Sequence, residues 1–401
     1  MKNILVSDRL VAVPASPIRK LVPFATEAKK KGVKVYHLNI GDPDIKTPEV
    51  MIDVLKNWTD NPIAYGQSQG QPKFLESLVS YYNKLGYSFV KTNHIQVTTG
   101  GSEAISMTLF AVCAPGEEVI AFEPYYANYN SYSTINGVKI VPVLTKGETG
   151  FHLPKRSEIE KKISKKTKAI LICNPSNPTG TVYTKDEMEM LVSICVKNNL
   201  FLISDEVYRE FVYDGKKYFS ILGYMKKYPD KMILLDSLSK RYSLCGARLG
   251  MIVSLNKEIT DGTLRMAQGR LSSGYVDQAM AEKLIEVKGS YFKEVHKEYQ
   301  TRRDLLYKGL KSIPGVYLEK PEGAFYTIVK LPVKSSEDFC QWLLTDFRYK
   351  NETVMVAPAA GFYGTKGMGK NEVRIAYVLN CKDLEKAIEI LRLALVEYNR
   401  K

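Results

Sequence analysis

Ala169-Ile-Leu-Ile-Cys173, Leu200-Phe-Leu-Ile-Ser204 and Met232-Ile-Leu-Leu235 are short, almost wholly apolar runs, each followed at once by polar residues. Runs of this length and composition, separated by patterns of helical period, read as strands buried on both faces of a mostly parallel sheet. Four more runs share the character: Ile95–Thr98, Glu118–Phe122, Lys139–Val143 and Leu249–Val253. One intervening helix start is marked. Thr184 precedes Glu187 at capping-box spacing, and Met188, Leu191, Val192 and Val196 follow on one face. The prediction is an α/β fold: a large domain over residues 46–285, with a mostly parallel seven-stranded sheet covered by helices.

Past residue 285 the pattern changes to a long helix over about 287–312, strands near Ala324–Lys330, Thr353–Ala357 and Val373–Tyr377, and a helix over Glu337–Asp346. A last helix over about 382–398 carries Leu384, Ile388, Leu391 and Leu395 at helical spacing. These elements predict a smaller α+β domain formed by residues 286–401 together with 1–45.

The bulk composition agrees with a globular chain of two such units. Its 401 residues are 45% hydrophobic and 25% charged, which excludes disordered and fibrous classes. The formal net charge of +14 is spread over short runs such as Lys29–Lys31, Lys161–Lys168 and Lys226–Lys231. Scattered charge of this kind serves solubility and attracts anions mildly, and no nucleic-acid-binding signature accompanies it. No stretch approaches the roughly 18 apolar residues of a membrane span, and Met1–Arg9 lacks a signal-peptide apolar region. Six cysteines without a CxxC pair read as reduced thiols of a cytoplasmic protein. The four histidines, His37, His94, His152 and His296, show no metal-ligand spacing, so no metal is expected.

Ligands of open α/β sheets bind beyond the carboxyl ends of the strands, so the residues just past each strand carry the functional signal. After Ile95–Thr98 comes Thr99-Gly-Gly101-Ser102-Glu103, opening a helical pattern; two glycines and a helix N-terminus suit a phosphate, though a plain turn has the same look. After Ala169–Cys173 comes Asn174-Pro-Ser-Asn177-Pro-Thr-Gly180, a restricted loop that presents the Asn177 amide or serves simply as a rigid turn. After Leu200–Ser204 comes Asp205-Glu-Val-Tyr208; a carboxylate there needs a cation or donor, such as a protonated pyridine nitrogen, or is a helix cap. After Met232–Leu235 comes Asp236-Ser237-Leu-Ser-Lys240, with Arg248 eight positions on. A lysine can form a Schiff base, and Ser237 with Arg248 can hold a phosphate. Alone, each has a structural explanation. Together, at four strand ends, they are the parts that bind a phosphorylated, pyridine-containing aldehyde.

Those segments resemble the class I/II aminotransferases of the aspartate-aminotransferase fold, the fold type I pyridoxal-phosphate enzymes. The resemblance runs from Asn39-Ile-Gly41-Asp-Pro43 to Val373-Arg-Ile-Ala-Tyr377 and is most specific at Ser237-Leu-Ser-Lys240 with Gly246-Ala-Arg248-Leu-Gly250. It implies pyridoxal 5'-phosphate held as a Schiff base on Lys240, with Asp205 on the pyridine nitrogen and Tyr208 and Asn177 on the phenolic oxygen. It further implies Tyr126 stacked on the ring and Gly101, Ser102, Ser237 and Arg248 on the phosphate. Arg374, backed by Gly41, would clamp the substrate's α-carboxylate. Tyr65 would reach the phosphate of a partner subunit, making the protein a homodimer with active sites at the interface. The implied reaction moves an amino group between an L-amino acid and a 2-oxo acid.

Substrate choice is less marked. Acidic-substrate members of the family set a basic side chain against the distal carboxylate, and in one aspartate-specific group that lysine aligns near Ser102, a serine here. Arg270 from the neighbouring subunit and Arg19 are the two candidates, with a structural arginine as the alternative for each. A carbon–sulfur β-lyase or another fold type I reaction would use the same cofactor residues. A non-catalytic cofactor-binding regulator is the remaining alternative, although the fold fills the chain and leaves no room for a DNA-binding domain.

Overall fold

The computed structural model describes residues 6–400; residues 1–5, part of the segment assigned above to the small domain, and residue 401 lie outside it. Twelve strands are present among the described residues: β1 Lys34–His37, β2 Ile95–Thr99, β3 Glu118–Glu123, β4 Lys139–Leu144, β5 Thr167–Cys173, β6 Phe201–Asp205, β7 Met232–Ser237, β8 Leu249–Ser254, β9 Tyr326–Lys330, β10 Glu352–Met355, β11 Ala357–Pro358 and β12 Glu372–Ala376. Seven form one sheet in the order β2-β8-β7-β6-β5-β3-β4. Pairing is parallel except around β8, which runs antiparallel to both β2 and β7.

Alternation along the central strands sends successive side chains to opposite faces, and each face has its own core. Ile170, Ile172, Leu202, Met232 and Leu234 enter one apolar cluster. Ala169, Leu171, Ile203, Ile233 and Leu235 enter another. Helices cover both faces, which is why these strands lack polar alternation. Lys185–Lys197 starts where the capping box predicts: the Thr184 hydroxyl accepts from the Glu187 N–H, and the Glu187 carboxylate accepts from the Thr184 N–H.

The remaining strands form a three-stranded antiparallel sheet, β11-β12-β9, and a parallel pair, β1-β10. The helices Gly289–Lys311 and Cys381–Tyr398 pack beside them. Leu21, Val35 and Leu38 share an apolar cluster with Leu306, Val354, Ile375 and Leu391. The run 353–357, expected as one strand, divides at Val356. Its first part pairs with β1 and its last with β12, so the chain changes sheets there.

Candidate active site

The carboxyl ends of β5, β6 and β7 share one edge with the amino end of the reversed β8. A cavity of about 650 Å³ opens along that edge. Gly100, at φ +75°, begins the helix Gly100–Val112, and a Cβ there would lie 2.6 Å from Arg248 Nη2. A Cβ on Gly250 would lie 2.4 Å from the Gly100 carbonyl carbon. Only with glycine at both places does the turn lie flat on β8, which brings a helix N-terminus beside the Arg248 guanidinium. Gly101, Ser102, Ser237 and Arg248 all line the cavity. Free N–H groups, a positive dipole end and a guanidinium in one corner suit a phosphate.

Asp205 is buried at the end of β6, with Oδ2 accepting from Tyr129 Oη at 2.8 Å. Its Oδ1 has no hydrogen-bond partner among the described residues. Burial pushes the carboxyl up to about 6, while the Tyr129 hydroxyl and the Val207 N–H hold it lower. A buried, half-satisfied carboxylate at the cavity wall is the feature a protonated ring nitrogen would complete. Asn177 donates from Nδ2 to Tyr208 Oη at 3.3 Å, and Tyr208 Oη donates to Tyr326 Oη at 3.2 Å. Lys240 is half-buried; its Nζ donates to the Gly41 carbonyl at 2.9 Å and contacts Cys245 Sγ at 3.4 Å. Tyr126 lies in the same wall, its hydroxyl accepting from Asn128 Nδ2.

Arg374, on β12, is 2% exposed. Its Nη2 donates to the Asn39 carbonyl at 2.6 Å and its Nη1 to Asn177 Oδ1 at 3.1 Å. The rings of Tyr326 and Phe362 lie 4.5 and 5.0 Å from the guanidinium carbon. Burial pulls its pKa down, yet a guanidinium stays charged. No carboxylate of the described residues pairs with it, so a buried positive charge is left facing the cavity.

The cavity thus gathers Gly41, Gly101, Ser102, Tyr126, Asn177 and Asp205 from the sequence reading. Tyr208, Ser237, Lys240, Arg248 and Arg374 join them, and so does Arg19. Two candidates are elsewhere. Tyr65 is 85% exposed and outside this cavity. Arg270, named above as a substrate contact, is taken up within its own chain: Nε pairs with Glu103 at 3.1 Å, and the two Nη atoms donate to Val97 O and Ser273 Oγ. Within its own chain it braces the β2 edge. Tyr129, Tyr326 and Asn39 were not singled out. Tyr129 sits three residues past Tyr126, a spacing that could have flagged it. Asn39 was quoted only as part of a motif. Tyr326 carries no spacing signal; a Cβ on Gly41 would fall 1.8 Å from its hydroxyl, a contact made only by folding.

A family model described as aminotransferase class I and II matches residues 33–391. An aspartate aminotransferase of Pyrococcus abyssi is 32% identical, over 98% of both chains. Aromatic-amino-acid aminotransferase 2 of Thermococcus litoralis is 31% identical, also over 98% of each. The solved structure of Thermus thermophilus aspartate aminotransferase with maleate superposes with a TM-score of 0.87 at 28% identity, covering 98% of this chain and 100% of that one. Relatives at equal similarity carry different substrate names, so overall likeness leaves the amino donor to the cavity's own chemistry.

Proposed function

The chain belongs to the class I and II aminotransferases, which are pyridoxal-phosphate-dependent enzymes, and from that premise we propose that Lys240 anchors the cofactor and that Arg374 receives the substrate's α-carboxylate. The observation that carries this reading is the pairing of a buried arginine free of any acid with a lysine amine in one cavity. When bound, the cofactor's protonated ring disperses the negative charge that develops as the substrate's Cα–H bond breaks. Every other part falls to the chain. The corner of Gly101, Ser102, Ser237 and Arg248 binds the phosphate. Asp205 Oδ1 holds the proton on the ring nitrogen, with Tyr129 fixing the carboxylate's orientation. Asn177 and Tyr208 donate toward the phenolic oxygen, and Tyr126 covers the ring. Arg374, set by Asn39 and Asn177, orients the amino acid so that its Cα–H faces Lys240. The Lys240 amine, steered by the Gly41 carbonyl, would take that proton from Cα as general base and deliver it to the cofactor's aldehyde carbon as general acid.

The exposed Tyr65 supports a homodimer in which it completes the neighbour's phosphate corner. No helix of the described residues is long and apolar enough to cross a membrane, and the cysteines are free thiols, which supports a cytoplasmic location. Borohydride reduction of the cofactor-loaded protein, followed by peptide mass analysis, tests the anchor: the adduct is expected on Lys240, and an adduct on another lysine overturns the assignment.

A further inference from the structure

Behind the cavity lies a buried ionic cluster centred on Asp236, which is fully buried. Its Oδ1 accepts from the Ser237 N–H at 2.8 Å and from Arg241 Nη2 at 2.9 Å. Its Oδ2 accepts from the same Nη2 and from Tyr82 Oη, both at 3.0 Å. Arg209 Nη2 lies 3.1 Å from Asp236 Oδ2 and 3.5 Å from Glu206 Oε2. Arg241 Nε lies 2.7 Å from Glu210 Oε1, and its guanidinium carbon is 4.4 Å from the centre of the Tyr81 ring. None of Glu206, Arg209, Glu210, Asp236 and Arg241 belongs to the cavity wall.

The order of the chain ties this cluster to the site. Past β6, Asp205 and Tyr208 line the cavity while Glu206, Arg209 and Glu210 enter the cluster. Past β7, Ser237 and Lys240 line the cavity while their neighbours Asp236 and Arg241 pair at its back. Asp236 therefore joins the two turns, and its pair with Arg241 closes the second one directly beside Lys240. Apolar side chains would fill the same space with less desolvation. What an ionic clamp adds is direction, because a guanidinium and a carboxylate bond well only in a narrow range of relative positions. On the reading above, on which this inference rests, the Lys240 amine has to meet the substrate's Cα–H. We propose that Asp236 and Arg241 are positioning residues for that proton transfer: their pair fixes the base of the Lys240 turn, and Arg209 holds it in place against Asp205 and Tyr208.

The test uses the cofactor-loaded enzyme, wild type against Arg241→Met and Arg241→Lys. Arg303→Met serves as comparison, since Arg303 is equally buried but pairs with Asp214 away from the cavity. The donor is the proteinogenic L-amino acid that the wild type converts fastest, supplied in ordinary and Cα-deuterated form. With Arg241→Met, kcat is expected to fall about 10- to 100-fold while KM changes by less than about threefold. The deuterium isotope effect on kcat should rise, because proton transfer to a displaced amine becomes the slow step. Arg241→Lys, which keeps a buried cation, should show a smaller fall and a smaller rise. Arg303→Met should lower the melting temperature and leave the isotope effect at its wild-type value. The isotope effect is a ratio read on folded enzyme alone, so loss of folded protein does not move it. An unchanged isotope effect in both Arg241 variants, or an equal rise in Arg303→Met, overturns the proposal. A wild type that converts no amino acid fails the transamination reading and this inference with it, whereas an active wild type with unmoved isotope effects fails this inference alone.

Discussion

The two halves of the cavity are built differently. The cofactor half comes from the edge of one sheet: Gly101, Asn177, Asp205, Lys240 and Arg248 each sit at or just beyond the end of a strand, in register with their neighbours. The substrate half comes from three segments far apart in sequence, with Asn39, Tyr326 and Arg374 meeting inside the second unit. The ladder of one sheet fixes the first half, whereas the second joins the β9–β12 pair to Asn39 and Asn177 through side-chain hydrogen bonds. The cofactor half should therefore tolerate damage to the substrate half, and turnover should depend on both.

Lys240→Ala breaks the comparison most severely. It should cut transamination about 10⁴-fold or more while leaving the phosphate corner able to hold the cofactor. Equilibrium dialysis of the cofactor beside a turnover assay checks both; near-normal turnover would refute the lysine's role. Arg374→Lys comes next. It keeps the charge but loses the fork, so kcat/KM for amino acids should fall about 10- to 100-fold with cofactor affinity unchanged. A parallel loss of cofactor affinity would show that the halves are not separable. Tyr129→Phe should have the smallest effect. Asp205 sits at about 6, raised by burial and restrained by the Tyr129 hydroxyl. A carboxyl raised on folding destabilises the cofactor-free protein as pH climbs from its ordinary value toward 6 and leaves it charged above that. Cofactor affinity should therefore drop as pH falls through about 6. Tyr129→Phe should move that midpoint upward with little change in affinity at pH 8. An unmoved midpoint in a fluorescence titration would separate Tyr129 from Asp205.

The same contrast governs what the sequence made visible. Lys240, Asp205 and Asn177 were legible because a buried strand announces its end, and strand ends of such a sheet converge. Arg374 was found through resemblance alone. Tyr326 was missed because its closeness to Gly41 depends on how segments far apart in sequence pack within one unit. The partners of Arg270 within its own chain, Glu103, Val97 and Ser273, were not legible for a related reason: a guanidinium's partners are tertiary facts. Arg19, the lesser candidate, lines the cavity beside Arg248 and Arg374. The division at Val356 escaped notice because two short strands in different sheets read as one apolar run.

The reversal of β8 has a consequence for how the protein can change. Ser237 and Gly250 face each other across the β7–β8 ladder, so the chain between them is a loop of set length, pinned at both ends. Lys240 lies near its start and Arg248 near its close. An insertion or deletion within it would shift one proposed anchor of the cofactor against the other, whereas side-chain replacements would leave the spacing intact. The loop behaves as a ruler whose gauge is the distance from aldehyde to phosphate, open to drift in composition but not in length.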